Sequence, residues 1–412
     1  MAHFSWLRIL PAALLVALTV ACSSNAKTAG SPTTTTSTTS SSATTSTTAP
    51  ATGAATTSTT VAAGGPLPAG FGVEDLTWVS DTDGWALGNA PCAHAPCTSM
   101  AHTVNGGQTW AGLPAPVAYS GTSFALGNCS ATVACVDGVR FANTTVGYVF
   151  GQSSLWLTTN GGHTWTERSR DTTNALEVDG SLVVRVTNPN NATPPGISYQ
   201  VQTTTVGSTS WHTVLGSTVE GDGVLLAVQG PDLYLAVVEN PAGGAQDEHP
   251  TLYRSTNSGA TWSTLADPCG NAPSGNEADT SALAAAPGGY LVVACTARQA
   301  GETGYVVVSA DAGASFGPQR ANLLGTQQST ATKVAAATGQ RLVVLVGSAI
   351  SVSNDAGVNW TVTYTEANPP AVSPDLFLGF EDALTGRAVL SPGTILTTTD
   401  GGGHWTPYTF PT

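Results

Sequence analysis

Residues 158–165 read "TTNGGHTW", with three hydroxyl residues, an amide, paired glycines and a closing indole. An Asn at this position accepts hydrogen bonds from backbone amides of its own turn. The second glycine supplies a positive φ, and the indole buries a large apolar area behind the turn. The stretch therefore predicts a tight turn between two strands, anchored by an aromatic residue.

Copies of this octapeptide recur along the chain. Five keep the hydroxyl, the Asn or Asp, the Gly and the closing aromatic: "TVNGGQTW" (103–110), "STNSGATW" (255–262), "SADAGASF" (309–316), "SNDAGVNW" (353–360) and "TTDGGGHW" (398–405). A degenerate copy, "TTVGSTSW" (204–211), keeps the hydroxyls and the Trp. The closing aromatics follow one another at intervals of 44 to 55 residues. Such regular spacing is typical of repeat architectures.

Apolar runs around each octapeptide predict four strands per repeat. In the sixth repeat they read "TKVAAAT", "RLVVLVG", "AISVSND" and "NWTVTYT". The chain has 46 Gly and only 9% charged residues, which favours strands and turns over helices. Because one small sheet cannot bury both of its faces, the repeats must stack. We predict an all-β fold, a single seven-bladed β-propeller of four-stranded blades with one octapeptide hairpin in each blade.

The octapeptides match the pattern S/T-x-D/N-x-G-x-T/S-W/F of the Asp-box, or BNR, repeat over roughly residues 72–410. The chain thus resembles the sialidase-type β-propellers. Three repeats also place an aromatic, a polar turn and small apolar residues ahead of the octapeptide, in "LTWVSDTDGWALG", "VRFANTTVGYVFG" and "LGFEDALTGRAVL". This signature resembles the photosystem II assembly-factor branch. The resemblance implies that the octapeptides are structural, that ligands bind on the opposite face, and that the partner is a protein.

The N-terminal 66 residues predict export and a tether. The apolar run "ILPAALLVALTVA" is too short to span a bilayer as a helix, so residues 1–21 are interpreted as a signal peptide. "LTVAC" resembles a bacterial lipobox, which implies a lipidated Cys22 and an extracytoplasmic lipoprotein at the cell membrane. Ordinary secretion, with Cys22 lost or free, is the alternative. The Ser/Thr-rich segment 22–66 is expected to be a disordered tether, and residues 67–412 the propeller.

Six cysteines remain beside Cys22, an even number in an exported chain. Local pairing predicts three disulfides: Cys92 with Cys97, Cys129 with Cys135, and Cys269 with Cys295. A metal site is the alternative, but the chain has no C-x-x-C and no His at ligand spacing, so we expect neither metal nor cofactor. All six cysteines fall on or beside connections of the expected ligand face. They either stiffen a presented surface or simply staple long loops.

An acidic residue stands at or just before the first strand of six predicted blades. These residues are Glu74/Asp75, Asp137, Asp171, Asp222, Asp279 and Asp375, while the sixth blade has Lys333. Because first strands line the channel of a propeller, we predict that the carboxylates ring the channel mouth and attract a cation or a basic partner. The alternative is that they are solvated turn residues with no further role.

The net charge of the chain and the motifs that it lacks argue against several classes of function. A formal net charge of −14 argues against nucleic acid and against docking on anionic lipid, so membrane contact is expected only through the anchor. The Arg-Ile-Pro motif of sialidases is absent. Two functions stay open for what we expect to be a monomer. The first is a non-catalytic scaffold that binds a protein, peptide or glycan, and the second is hydrolysis of a neutral glycan by two carboxylates.

Overall fold

The computed structural model describes residues 64–120, 129, 133–189, 197–221, 223–238, 251–270, 278–297, 304–318, 332–367 and 377–411, all within the compact unit Ser58–Thr412. The signal peptide, Cys22, the tether up to residue 63, Asp222 and Asp375 lie outside the described residues. In the described ranges, no helix has the length and apolar character needed to cross a membrane.

The strands form seven antiparallel sheets in chain order. Blade 1 contains β1 (Gly72–Trp78), β2 (Gly84–Asn89), β3 (Thr98–Thr103) and β4 (Ala111–Leu113). A short parallel pair, β5 (Tyr119–Ser120) and β6 (Cys135–Val136), connects it to blade 2. Blade 2 contains β7 (Gly138–Phe141), β8 (Gly147–Gly151), β9 (Ser154–Thr158) and β10 (Thr166–Ser169). Blade 3 contains β11 (Thr172–Asp179), β12 (Leu182–Asn188), β13 (Ile197–Thr205) and β14 (His212–Gly221).

The remaining four blades follow the same order. Blade 4 contains β15 (Gly223–Gln229), β16 (Asp232–Val238), β17 (Thr251–Ser255) and β18 (Ser263–Leu265). Blade 5 contains β19 (Ala278–Ala286), β20 (Tyr290–Ala297) and β21 (Tyr305–Ser309). Blade 6 contains β22 (Thr332–Ala336), β23 (Leu342–Val346), β24 (Ala349–Ser353) and β25 (Thr361–Thr365). Blade 7 contains β26 (Phe377–Phe380), β27 (Gly386–Ser391), β28 (Thr394–Thr398) and β29 (Thr406–Thr409).

The predicted seven-bladed propeller is confirmed. Each sheet is a meander whose neighbouring strands are consecutive in sequence. In blade 5 the Gly317 N–H donates to the Val308 carbonyl at 2.9 Å, at the edge where the other blades have a fourth strand. The first strands of successive blades contact one another around the central channel. The side chains of these first strands therefore determine the shape and charge of the channel.

The octapeptides form hairpins with one shared set of hydrogen bonds. In the second blade, Thr158 Oγ1 accepts the Gly162 N–H at 3.0 Å, and Asn160 Oδ1 accepts the Thr164 N–H at 2.9 Å. The Gly161 N–H donates to the Thr145 carbonyl at 2.8 Å, in the turn between β7 and β8. The equivalent donors in the five other complete octapeptides are Gly106, Ser258, Ala312, Ala356 and Gly401. Each hairpin thus clips the turn after the third strand to the turn after the first.

The backbone of the octapeptides is left-handed at two successive positions. The predicted glycines have φ between 82° and 95°, which confirms the prediction: Gly107, Gly162, Gly259, Gly313, Gly357 and Gly402. The residue before each glycine is left-handed as well, and three of these are not glycine: Ser258, Ala312 and Ala356. The backbone N–H of this preceding residue donates the hydrogen bond to the turn after the first strand. The hydrogen bond holds a conformation that L-residues otherwise avoid.

The ring closes without exchange of a strand between the first and last blades. The Gly70 N–H donates to the Pro411 carbonyl at 3.1 Å, and the Val73 N–H donates to the Pro392 carbonyl at 2.7 Å. The rings of Phe71 and Phe410 meet edge to face, with centroids 5.0 Å apart. The seam between blades 1 and 7 is therefore held by backbone hydrogen bonds between the two blades and by buried aromatic area.

The chain joins the propeller slightly before the predicted boundary at residue 67. Gly65 and Gly112 of β4 exchange N–H···O hydrogen bonds of 2.9 and 3.0 Å. A Cβ on Gly112 would lie 2.6 Å from the Pro66 carbonyl oxygen, so this approach requires glycine. The segment at Gly65 thus covers part of the outer edge of blade 1.

We expect Phe410→Ala to destabilise the protein by about 3 kcal/mol, because it leaves a cavity at the seam. Phe410 is 3% exposed and contacts Phe71. Urea denaturation followed by tryptophan fluorescence measures the change. The control is Val362→Ala, at a side chain that is 62% exposed, and it should change stability by less than about 0.5 kcal/mol. Equal stability of the two variants would contradict this account of ring closure.

Three octapeptides carry Asp where the other three carry Asn: Asp311, Asp355 and Asp400. Hydrogen bonds from the Ser315 hydroxyl and N–H lower the pKa of Asp311 to about 2. Hydrogen bonds from the Asn359 N–H and side chain lower the pKa of Asp355 to about 2. Burial opposes the shift at Asp400, but hydrogen bonds from His404 bring the pKa of that carboxyl to about 2 as well. The ionised form of each Asp is thus favoured in the folded state.

These depressed pKa values predict an acid-sensitive stability. The contribution is complete above the unfolded-state pKa of about 3.9 and disappears as the pH falls towards 2. The triple variant Asp311→Asn, Asp355→Asn, Asp400→Asn gives all six complete octapeptides the amide that three already use. We expect it to fold at pH 7 and to lose less stability than the wild type between pH 4 and 2, as measured by urea denaturation. A parallel loss in both proteins would refute the assignment.

Candidate functional site

A pocket of about 250 Å³ lies at the end of the channel where the first strands begin, and we call it the upper pocket. Blades 1, 2, 3 and 6 contribute to it. Its charged side chains are Glu74, Asp75, Asp137, Arg140, Glu177 and Lys333. The hairpin clips show that the octapeptides lie beside the turns that follow the first strands. The upper pocket is therefore at the opposite end of these strands from the octapeptides.

The structure brings together some of the predicted acidic residues. Asp75 and Asp137 line the upper pocket, whereas Asp171 does not; the Asp171 carboxylate accepts a hydrogen bond of 2.8 Å from the Ser169 hydroxyl. Asp279 lies on β19, but its side chain is outside the described part of the chain, as are Asp222 and Asp375. Lys333 shares the pocket with Asp75 and Asp137. The described mouth is therefore of mixed charge, with an excess of carboxylates.

Arg140 forms the centre of the charge network. Its Nη1 lies 2.7 Å from Asp75 Oδ2, and its Nη2 lies 3.0 Å from Glu177 Oε1. Burial opposes the charge, but attraction to both carboxylates raises the pKa of Arg140 above its ordinary value. The three residues come from three different blades. We call them the Arg140 triad.

Asp75 also completes the backbone hydrogen bonding of the next blade. First strands have a sheet neighbour on one side only, so the other edge faces the channel with unpaired N–H groups. Asp75 Oδ2 accepts the Val139 N–H at 2.8 Å, and Thr77 Oγ1 accepts the Phe141 N–H at 3.0 Å. Side chains of β1 thus cover the exposed edge of β7. Part of the role of Asp75 is structural.

Glu74 connects the channel mouth to the loop between blades 1 and 2. The register of β1 shifts between Val73 and Asp75, which marks a β-bulge. Glu74 is buried, and its Oε1 accepts hydrogen bonds from Asn89 Nδ2 at 2.6 Å and from the Ser120 hydroxyl at 3.1 Å. Ser120 lies on β5. Because of the bulge, the adjacent side chains of Glu74 and Asp75 have different hydrogen-bond partners.

The three predicted disulfides are present. Cys92–Cys97 closes the connection between β2 and β3. Cys129–Cys135 lies in the connection that leads to Asp137. Cys269–Cys295 joins the connection between blades 4 and 5 to β20, with both cysteines buried. Within the described residues, His, Cys, Asp and Glu side chains do not cluster in a way that could hold a metal ion.

A second pocket of about 310 Å³, here the lower pocket, lies further along the same first strands. The apolar residues that contribute to its lining are Leu76, Trp78, Phe141, Val178, Phe377, Leu378 and Phe380. Glu381 lies at the end of β26 and completes one side. Arg140 and Glu177 line both pockets, so the Arg140 triad lies between them.

Sequence reasoning missed Arg140, Glu177 and Glu381. Their only signal is a charge within or directly after an otherwise apolar first strand. Burying such a charge costs free energy unless it is paired, so a charged residue at this position indicates an ion pair or a functional role.

No protein-family model matches the chain, and no curated protein matches it. Solved structures do match. YCF48 from Cyanidioschyzon merolae is 13% identical over 81% of this chain and 97% of that chain, with a TM-score of 0.52. An ancestral GH74 enzyme is 14% identical over 83% of this chain and 46% of that chain, with a TM-score of 0.51. YCF48 bound to a D1 peptide is 18% identical over 65% of this chain and 79% of that chain, with a TM-score of 0.43.

These structures are what the chain resembles in fold. The similarity defines its class, a seven-bladed β-propeller, in agreement with the sheets described above. At 13% to 14% identity it extends neither to an activity nor to a partner.

We expect Arg140→Met to destabilise the protein by about 3 kcal/mol, because it leaves Asp75 and Glu177 without their shared cation. The matched control is Arg170→Met. Arg170 pairs with Glu167 on the surface and its side chain is 45% exposed, so the loss should stay below about 1 kcal/mol.

Adding Asp75→Asn and Glu177→Gln to Arg140→Met removes the uncompensated charges and should restore part of the stability. Denaturant titration at pH 7 measures all of these variants. A triple variant that is less stable than Arg140→Met would contradict the triad as a charge network.

Proposed function

We propose that this protein is a non-catalytic binding propeller whose upper pocket holds a basic side chain of a protein or peptide partner. The observation that carries the proposal is that the carboxylates in the channel are held in ion pairs. Asp75 and Glu177 are both bound to the Arg140 guanidinium. Groups held in this way are parts of a rigid surface.

The same observation disfavours glycoside hydrolysis. A hydrolase needs one carboxyl kept protonated as the acid and a second carboxylate as base or nucleophile. Asp75 and Glu177 both form ion pairs with the same Arg140 guanidinium. Neither could act as the acid or the base of a hydrolase without breaking the Arg140 triad.

The charge around the upper pocket favours a basic partner. Four carboxylates line it (Glu74, Asp75, Asp137 and Glu177), against two cations, Arg140 and Lys333. Asp137 is exposed at the rim, where an incoming charge meets it first. The whole chain carries a formal charge of −14, which attracts cationic segments at a distance. Lys333 restricts the orientations in which a basic peptide fits.

Two disulfides support the same proposal. Cys129–Cys135 ends two residues before Asp137, and Cys92–Cys97 lies in the loop after β2. A binding surface that is already ordered loses less conformational entropy when a partner docks. Stiff connections beside the pocket are thus suited to recognition.

The cellular setting is part of the proposal. The apolar N-terminal run, "LTVAC" and the Ser/Thr-rich segment support an exported lipoprotein anchored through Cys22, with the propeller on a tether outside the membrane. Three disulfides fit an oxidising compartment. The hydrogen bonds of the hairpins support membership of the Asp-box propellers.

A peptide array tests the function. Peptides with Lys or Arg are compared with the same peptides carrying acetyl-lysine or citrulline, using the exported chain from residue 22. We expect binding of the charged peptides that weakens with salt. Asp137→Asn should weaken it about threefold to tenfold. Asp171→Asn removes an equal charge outside the upper pocket and should leave it unchanged.

A neutral-glycan hydrolysis assay runs beside the array. Release of sugar that depends on Asp75 or Glu177 would replace binding by the hydrolase function. Equal binding of charged and neutralised peptides would refute the role of the upper pocket.

A further inference from the structure

A buried arginine lies in blade 3 at a position where the other six blades have an apolar residue. Arg185 follows Val183 by two residues on β12, and Val183 pairs with Thr204, the first residue of the octapeptide of that blade. The residues at the same register position of the other second strands are all apolar and buried: Ala86, Val149, Leu235, Val293, Val344 and Ala388. The repeat therefore makes this a core position, where a charge is costly unless it is compensated.

The side chain of Arg185 faces blade 2. Side chains alternate along a strand, so Val183, Arg185 and Thr187 share one face of β12. Val183 packs in one apolar cluster with Tyr148 of blade 2. Arg185 is 4% exposed, and its guanidinium lies over the Trp211 ring, 4.2 Å from the centroid. The charge is thus enclosed between two blades.

The hydrogen bonds of Arg185 go to a neutral side chain. Its Nε and Nη2 donate to Gln202 Oε1 at 2.9 and 2.7 Å. Asp171 is the carboxylate whose charge acts on Arg185, but it accepts its hydrogen bond of 2.8 Å from the Ser169 hydroxyl. Burial outweighs the attraction of Asp171 and lowers the pKa of Arg185 to about 10. At neutral pH the guanidinium is therefore charged and only partly compensated.

Three buried polar atoms on this face have no hydrogen-bond partner within the described residues: Arg185 Nη1, Thr173 Oγ1 and Thr187 Oγ1. Thr173 and Thr187 are register partners on β11 and β12, so their Cβ atoms are neighbours, about 5 Å apart. Thr187 is also the next residue after Arg185 on the same face of β12. All three groups can donate to one acceptor between them, and leaving such donors unpaired in the interior costs free energy.

We propose that Arg185 Nη1 and the hydroxyl groups of Thr173 and Thr187 bind a small inorganic anion of the size of chloride. An anion supplies both the acceptor that the three donors lack and the negative charge that the guanidinium lacks. Because charge-assisted hydrogen bonds are stronger than neutral ones, an anion is favoured over a water molecule here. Protein interiors have few spaces larger than a water molecule, which limits the ligand to a small ion. The site does not depend on peptide binding in the upper pocket.

Bromide locates the site directly, because it replaces chloride and scatters anomalously. Crystals of the exported chain from residue 22 are grown without halide and soaked in sodium bromide. We expect an anomalous peak within hydrogen-bond reach of Arg185 Nη1 and the hydroxyl of Thr187. A soaked crystal without a peak at this position, whether water or no density takes its place, would overturn the proposal.

The same binding is measured in solution through stability. A ligand that binds only the folded protein decreases the unfolding constant by the factor 1 + [L]/Kd. Urea denaturation is compared at about 5 mM and about 500 mM sodium chloride, with sodium gluconate keeping the ionic strength constant. Anions also act on stability in general, so each response is referred to that of Arg185→Met. On this scale, we expect chloride to decrease the unfolding constant of the wild type at least about threefold.

Variants separate an anion site from a purely structural arginine. Thr187→Val keeps the shape of the side chain but removes one donor, so it should weaken the chloride response. Arg170→Met is the matched control on the surface and should respond to chloride as the wild type does. If Arg185 only packs on Trp211, Arg185→Met is destabilised equally at both chloride concentrations. That result, or a full response in Thr187→Val, would contradict the anion site.

Discussion

The first strand of each blade has a hydrogen-bonded neighbour on one side only, and the chemistry of the channel follows from that constraint. The free edge faces the channel, where unpaired N–H groups need acceptors. Between blades 1 and 2 the side chains of Asp75 and Thr77 supply them. Once Asp75 is placed there, Arg140 balances its charge and recruits Glu177 from blade 3. A requirement of the backbone thus determines where charges gather in a chain that has few of them.

Local patterns made much of the fold predictable. The octapeptide combines a left-handed Gly with an Asn or Asp that bonds within its own turn, so its conformation depends on adjacent residues, and its spacing gave the blade number. The disulfide partners were also close in sequence. Three other positions were unexpected. Ser258, Ala312 and Ala356 adopt positive φ because a turn of another strand pair accepts their N–H.

The site was only partly predictable, because its contacts join separate blades. Asp75 and Asp171 look equivalent in the sequence, since both stand near the start of a first strand. Asp75 lies within β1 after a bulge and reaches Arg140, whereas Asp171 precedes β11 and bonds to Ser169. One residue of register decides which way such a side chain points. Glu381 depends similarly on the turn of blade 1, whose Asp81 holds Arg387.

The bridge between Gly65 and Gly112 has a mechanical consequence. It is made of two reciprocal hydrogen bonds at the outermost strand of blade 1, far along the sheet from the channel strand β1. Tension applied to the chain ahead of Gly64 therefore loads this bridge before it loads the seam at Phe71. Opening the bridge would break these two hydrogen bonds and none of those that pair the channel strands with their neighbours. The bridge is thus the first contact of the propeller to bear a pull on its N-terminal end.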